Sequence, residues 1–130
     1  MQQLVETKLW NKKSEFFETF TEKDTLAQVR EAIGFIPWYF NLPEKGKGFE
    51  KAWEQIKDEK GFSAPFGLTT AERRSPRFRT HGTGTCEWDG AIWPIASSQT
   101  LTAMANVLNS YDQNFVGKPD YFKQMELYVQ

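Results

Sequence analysis

Three absences bound what this chain can be. It holds one cysteine, Cys86, and one histidine, His81, so neither an internal disulfide nor a zinc site of Cys/His spacing can form, and no metal or cofactor is expected. A catalytic thiol made of Cys86 and His81 is the sharper alternative; a buried or idle thiol is the expectation. Charge of one sign is also missing. Sixteen basic against 17 acidic residues leave a formal charge of −1, which argues against general polyanion binding. The basic run Arg73, Arg74, Arg77 and Arg79 beside His81 is therefore read as a solvated or internally paired loop, with no nucleic acid as partner. Finally, no apolar run reaches the length of a membrane span, and the start MQQLVETKLW has neither a positive n-region nor an apolar h-region, so neither membrane nor signal peptide is expected.

Catalytic signatures are sparse as well. GTGTCE from Gly82 lacks the third glycine and the preceding strand of a phosphate-binding loop. Ser97, Ser98, His81 and Asp89 supply the residue types of a hydrolase triad, but there is no GxSxG elbow. No repeat of fixed period and no low-complexity tract is visible.

What the chain has in quantity is aromatic side chains, 15% of its residues with five Trp and eleven Phe, more than a small core normally needs. Its 130 residues suffice for one hydrophobic core, and a single unit over 1–130 is expected. Leu4, Val5 and Leu9 predict a helix over 2–10, and the phenylalanines of 15–20 a short extended arm. Asp24 or Thr25 is read as the cap of a second helix, with Leu26, Val29 and Ile33 facing inward and Gly34 ending it. FIPWYFNLP, constrained by Pro37 and Pro43, is a helix start or a packed loop. Phe49, Ala52, Trp53 and Ile56 repeat at the spacing of an amphipathic helix. Pro94 opens a further helix that buries Leu101, Met104, Ala105 and Leu108, and Pro119 opens the last, with Phe122, Met125, Tyr128 and Val129 on one face. Residues 62–93 form one long loop, and a structureless span of that length in a compact domain is usually functional.

That loop leads into the densest chemistry of the chain, residues 81–99, HGTGTCEWDGAIWPIASSQ. Trp88 and Trp93 flank Gly90 beside the carboxylates of Glu87 and Asp89. An indole presents a large apolar face with one polar handle, and such a face stacks on the C–H side of a pyranose while carboxylates accept its hydroxyls. The plainer reading has both indoles wedging the loop onto the core.

The segment EWDGAIWPIASSQTLTAMANVL resembles the loop-to-helix motif of the (α/α)6 toroid glycoside hydrolases related to family 63 glucosidases, mannosylglycerate hydrolases and, more distantly, trehalases. The trehalase version is Gln-Trp-Asp followed four residues later by Trp; Glu87 replaces that Gln, while Trp88, Asp89 and Trp93 keep the spacing. The resemblance continues in LWNKKSEFF, REAIGFIPWYFNLP and APFGLTTAERRSPRF, so it runs colinearly over nearly the whole chain. One departure stands out, since family 63 relatives generally carry Arg after the first Trp, where this chain has Asp89.

The resemblance implies an all-α fold of helical hairpins forming part of an (α/α)6 toroid, whose loops at one rim line a sugar pocket. It assigns Trp88 and Trp93 as pocket walls, Asp89 as a hydroxyl acceptor, and Thr69 and Thr70 to the loop before them, with Glu31 and Trp38 on a further rim segment. The implied function is part of an inverting glycoside hydrolase acting on the O-glycosidic bonds of an oligosaccharide or small glycoside. The general acid of such enzymes, an Asp in a tryptophan-rich motif upstream, and the general base, a Glu downstream, have no counterpart within 1–130, so no catalytic residue is expected here and the chain reads as an internal piece of a catalytic domain. Its expected partners are a carbohydrate and either the remainder of that domain or another copy, met through exposed apolar helix faces. The alternative from another class is a non-catalytic carbohydrate-binding or helical interaction module.

Overall fold

The computed structural model describes residues 1–82 and 84–130; Thr83, within both the 62–93 loop and the GTGTCE run, lies outside the described residues. Helix α1 (Gln2–Lys8) leads into a tight hairpin in which β1 (Trp10–Asn11) pairs antiparallel with β2 (Phe16–Phe17), Trp10 opposite Phe17. Asn11 holds the turn. Its Oδ1 accepts from the Lys13 N–H at 2.9 Å and its Nδ2 donates to the buried carboxylate of Glu18 at 3.0 Å. The extended arm read at 15–20 is thus the second strand of this hairpin, and it drives Phe16 and Phe17 into the core.

The second helix expected from residue 24 or 25 does not form. Asp24 and Gln28 adopt left-handed φ values of 54° and 58°, which interrupt a right-handed helix wherever they occur. The backbone groups of this segment find longer-range partners instead. The Gln28 N–H donates to Glu18 Oε2 at 2.9 Å, and an antiparallel bridge joins Glu31 to Ala71, with Ala32 N–H to the Thr70 carbonyl at 2.8 Å and Glu72 N–H to the Arg30 carbonyl at 2.9 Å. Ile33, read as inward-facing, is exposed. Gly34 does not end a helix either; it sits inside a 3₁₀ helix, Ala32–Phe35, that runs on into α2 (Ile36–Tyr39). A Cβ at Gly34 would overlap the Phe16 ring and the Phe17 carbonyl oxygen, so glycine is what lets this turn lie on the hairpin.

The amphipathic segment Phe49–Ile56 is helical with Ala52, Trp53 and Ile56 buried as its spacing predicts, but as a 3₁₀ rather than an α-helix. The 62–93 loop contains a second small hairpin, β3 (Ser63–Ala64) with β4 (Gly67–Leu68), before α3 (Pro94–Ser110) begins with Pro94 at its first turn. Helix α3 buries Ala96, Leu101, Ala103, Met104 and Val107; Ala105 and Leu108 are only half-buried. Its Asn106 donates to the Trp38 and Tyr39 carbonyls at 3.0 and 2.9 Å, tying α3 to the last turn of α2. Helix α4 (Lys118–Tyr128) departs from expectation, because Gln124 is its buried residue while Phe122 is 63% exposed and Val129, just past its end, is exposed as well.

The core is an aromatic cluster. Phe16 meets Phe35 edge-on at 5.0 Å, Trp38 meets Trp53 edge-on at 5.5 Å, and Phe62 closes against Phe35 at 5.2 Å. The chain is helix-rich, and the all-α expectation is amended by two hairpins of two-residue strands.

Candidate functional site

The site is assembled where the 30–32 segment, the 69–72 segment and the loop before α3 come together. Glu72 is the anchor. Its Oε1 accepts from the Arg30 N–H at 3.0 Å and its Oε2 from Arg30 Nη1 at 2.6 Å, and Oε2 also forms an ion pair with Arg74 Nε at 3.1 Å, all at a carboxylate almost wholly out of solvent. The Arg30 guanidinium is further used by the Ser14 carbonyl, which accepts from Nε at 3.0 Å and Nη2 at 2.6 Å. With Arg30 turned to that side, its neighbour Glu31 faces the opposite one, where Oε2 accepts from Thr19 Oγ1 at 2.8 Å.

Thr70 carries the next link. Its hydroxyl donates to the Ala91 carbonyl at 2.8 Å and accepts from the Gly90 N–H at 3.3 Å, while its own N–H donates to the same Ala91 carbonyl at 3.1 Å. This clamp holds the loop between the two tryptophans. Gly90 fits there because a Cβ would run into the Arg79 carbonyl, whose N–H in turn donates to the Asp89 carbonyl at 2.9 Å.

The result is a cleft of about 340 Å³ lined by Thr19, Glu31, Thr70, Trp88, Ala96 and Gln99, among others. Such a volume lies at the small end of ligand pockets, about 300–1,000 Å³. Trp88 is 46% exposed, with an open indole face for a large side chain. Its other face stacks on Trp93 at 5.8 Å between centroids and 7° between planes. Trp93 Nε1 donates to the Glu87 carbonyl at 2.6 Å, and Trp88 Nε1 to Cys86 Sγ at 3.3 Å. Cys86 is therefore exposed and engaged, not a buried thiol.

Of the residues singled out in the sequence, Trp88, Glu31 and Thr70 line this cleft. The others do not. Trp93 backs Trp88 and is absent from the lining. Asp89 opens on a separate concavity of about 170 Å³ with Arg79, His81 and Glu87, where its Oδ2 pairs with Arg79 Nε at 2.7 Å and its buried Oδ1 has no hydrogen-bond partner among the described residues. Thr69 is 3% exposed and turns its hydroxyl to the Ala71 carbonyl at 2.8 Å. Trp38 is 0% exposed, packed on Phe17 and Trp53, so its place is the core and not the rim. The arginine run behaves as an internally paired loop: Arg73 donates to the Glu59 and Ser63 carbonyls, Arg74 pairs with Asp58 and Glu72, and Arg79 with Asp89.

Besides the apolar Ala32, Ile33 and Ala96, two polar lining residues escape sequence reasoning, Thr19 and Gln99. Gln99 did carry a signal, since it lies one helical turn beyond Ala96 on the face that α3 presents to the cleft. Thr19 carried none, because its partner Glu31 is twelve residues away across an irregular segment. Chemically the cleft offers an aromatic side chain together with a carboxylate, hydroxyls and a primary amide, groups able to bind a small polyhydroxylated ligand. Among the described residues, Glu31 is the titratable group that lines it.

No curated protein matches the chain. Among solved structures, one titled sialidase superposes on it with a TM-score of 0.93 and 65% sequence identity over 98% of this chain. The chain spans 12% of that chain's length. Over residues 1–130 it matches the family described as the mannosylglycerate hydrolase MGH1-like glycoside hydrolase domain, and to that family it belongs.

Proposed function

We propose that this chain forms one wall of the sugar-binding site of a glycoside hydrolase whose catalytic domain is an (α/α)6 toroid, acting on O-glycosidic bonds of an oligosaccharide or small glycoside. The observation that carries this reading is the convergence on one cleft of about 340 Å³ of the half-exposed Trp88 indole and the hydrogen-bonded Glu31–Thr19 pair. Family membership supports a carbohydrate ligand, and the helix-rich architecture is compatible with part of a helical glycosidase. Titration of the chain with simple glycosides, read by tryptophan fluorescence, should saturate, and Trp88→Ala should weaken binding by about tenfold, as loss of an aromatic stacking partner does. Equal affinity in that variant would refute Trp88 as the platform. The chain alone should not turn over aryl glycosides or disaccharides; turnover abolished by changing a carboxylate within 1–130 would refute the placement of the acid and base elsewhere.

The expected association through apolar faces also has support. A groove of about 690 Å³ runs between α1 and α2, walled by Val5, Leu9, Phe17, Ile33, Pro37 and Phe40. Contiguous apolar surface of this kind marks an interaction site. Ile33 and Thr19 line both the groove and the cleft, so a polypeptide seated in the groove would extend the cleft wall. The remainder of the catalytic domain is the occupant that fits this continuity, with a second copy as the alternative.

A further inference from the structure

We propose that the crevice between α3, α4 and the β3–β4 turn is an internal hydration site, in which ordered water bridges the Ser97 hydroxyl and the Gln124 side-chain carbonyl. The crevice measures about 90 Å³ and is lined by Phe66 and Leu68 of the second hairpin, Ser97 and Leu101 of α3, and Gln124 and Tyr128 of α4, among others, so three elements of this chain wall it. It is too small for a sugar ring, since ligand pockets begin at about 300 Å³, and ample for water, which needs about 10–15 Å³. Ser97 and Gln124 are 6% and 5% exposed, and Ser97 Oγ and Gln124 Oε1 are buried without a hydrogen-bond partner among the described residues. An unpaired buried oxygen is costly, and buried water is what ordinarily satisfies such groups.

Local backbone groups relieve neither oxygen. On α3 the hydroxyls of Ser98, Thr100 and Thr102 donate to carbonyls of the preceding turn, those of Ile95, Ala96 and Ser98, at 2.8, 2.9 and 3.0 Å. The Ser97 hydroxyl makes no such bond, and Ser97 lines the crevice. On α4 Gln124 is the buried residue, so that helix is seated on this chain through an amide. An amide oxygen only accepts, whereas a hydroxyl both donates and accepts; water donates to the first and accepts from the second. The exposed side chains of Phe66 and Tyr128 share the lining, so the crevice reaches the surface and its water exchanges with solvent. The bridge fastens α4 to the same stretch of α3 whose Ala96 and Gln99 line the cleft, and it forms with or without a sugar there.

A crystal structure of the full chain should show a water within about 3.0 Å of both Ser97 Oγ and Gln124 Oε1. Water within reach of only one of them or of neither, or a direct bond between the two side chains, overturns the inference. In solution the readout is the melting temperature. Gln124→Met keeps the length and helix propensity of the side chain and deletes the acceptor, so a bridged site should lose about 2–6 °C. A dry, unpaired oxygen would instead be relieved by the same change, and the midpoint would rise. Ser97→Ala adds helix propensity of its own, so it is read through the pair. With one shared water, the shift of the Ser97→Ala/Gln124→Met chain should lie at least about 2 °C above the sum of the two single shifts. Strictly additive shifts, or a midpoint raised by Gln124→Met, overturn the bridge.

Discussion

Glu72→Ala is the perturbation that tests how the site is held. The carboxylate is 8% exposed, accepts from the Arg30 N–H and the Arg30 guanidinium, and pairs in charge with Arg74, with distances between 2.6 and 3.1 Å. Truncation leaves a nearly buried guanidinium and a backbone N–H without their acceptor. Breaking a buried ion pair by removing one partner costs about 3–5 kcal/mol. The Ser14 carbonyl remains for Arg30, so the lower end, about 3 kcal/mol, is expected. The comparison is Glu15→Ala, which removes the exposed Lys51–Glu15 pair at 2.8 Å and should cost about 0–1 kcal/mol. For a chain of this size 1 kcal/mol moves the melting temperature by about 4 °C, so thermal unfolding followed by circular dichroism should show a drop of about 12 °C for Glu72→Ala and no more than about 4 °C for Glu15→Ala. At a temperature where the variant is still folded, its affinity for methyl glucopyranoside should fall too, because the 30–32 backbone carries Glu31. If Glu72→Ala is no more costly than Glu15→Ala and binds sugar normally, the pairing of 30–32 with 70–72 is not what positions the cleft.

Thr70→Val keeps the side-chain shape and removes both hydroxyl bonds to the Gly90–Ala91 backbone, so it should cost about 1–3 kcal/mol and shift the Trp88 emission; an unchanged spectrum and urea midpoint would refute the clamp. Tyr111 donates its hydroxyl to the Pro43 carbonyl at 3.0 Å, and burial, with the negative charges of Glu50 and Glu6 adding, pushes its pKa from 10.0 up to about 12. A proton held more tightly in the folded chain means stability that is intact below about pH 10 and is lost as pH rises toward about 12. Tyr111→Phe should lack that part of the alkaline loss, and absorbance titration should show one of the four tyrosines ionising last. Alkylation of the exposed Cys86 adds bulk at the sulfur that accepts from the Trp88 N–H and should alter both the fluorescence of Trp88 and its sugar affinity; full labelling without either change would show that the contact is idle.

What could be read in the sequence was whatever local chemistry dictates. Pro94 preorganises the first turn of α3, and its apolar stripe follows the helical period, so the start of that helix and its inward side were legible. The second arm of the 10–17 hairpin showed in its clustered phenylalanines, whereas its first arm, Trp10–Asn11, begins inside the helix expected over 2–10. The 24–33 segment misled because Leu26, Val29 and Ile33 have helical spacing, yet the winning contacts come from Glu18 and from residues 70–72, far outside any local window. The site was split for the same reason. Trp88 announced itself as an indole beside acidic residues in a glycine-containing loop, and Glu31 through the REAIGFIPWYFNLP motif. Nothing local, however, says which of Thr69 and Thr70 faces the cleft; that follows from alternation in an extended segment whose register is set by the bridge to Glu31. Trp38 was drawn to the rim by its neighbours in that motif, whereas the turn from the 3₁₀ segment into α2 carries it inside.

The parallel stack of Trp88 on Trp93, together with the sulfur at its N–H, has a thermodynamic consequence. An indole restrained on one face and at its polar edge has given up its rotational freedom when the chain folded. A ligand arriving on its open face does not have to immobilise it, and the ordering penalty of about 0.5–1.5 kcal/mol for a mobile side chain is absent from the binding step. For weak ligands that difference is about two- to tenfold in affinity. Loosening Trp93 should accordingly weaken binding through entropy, although Trp93 does not line the cleft.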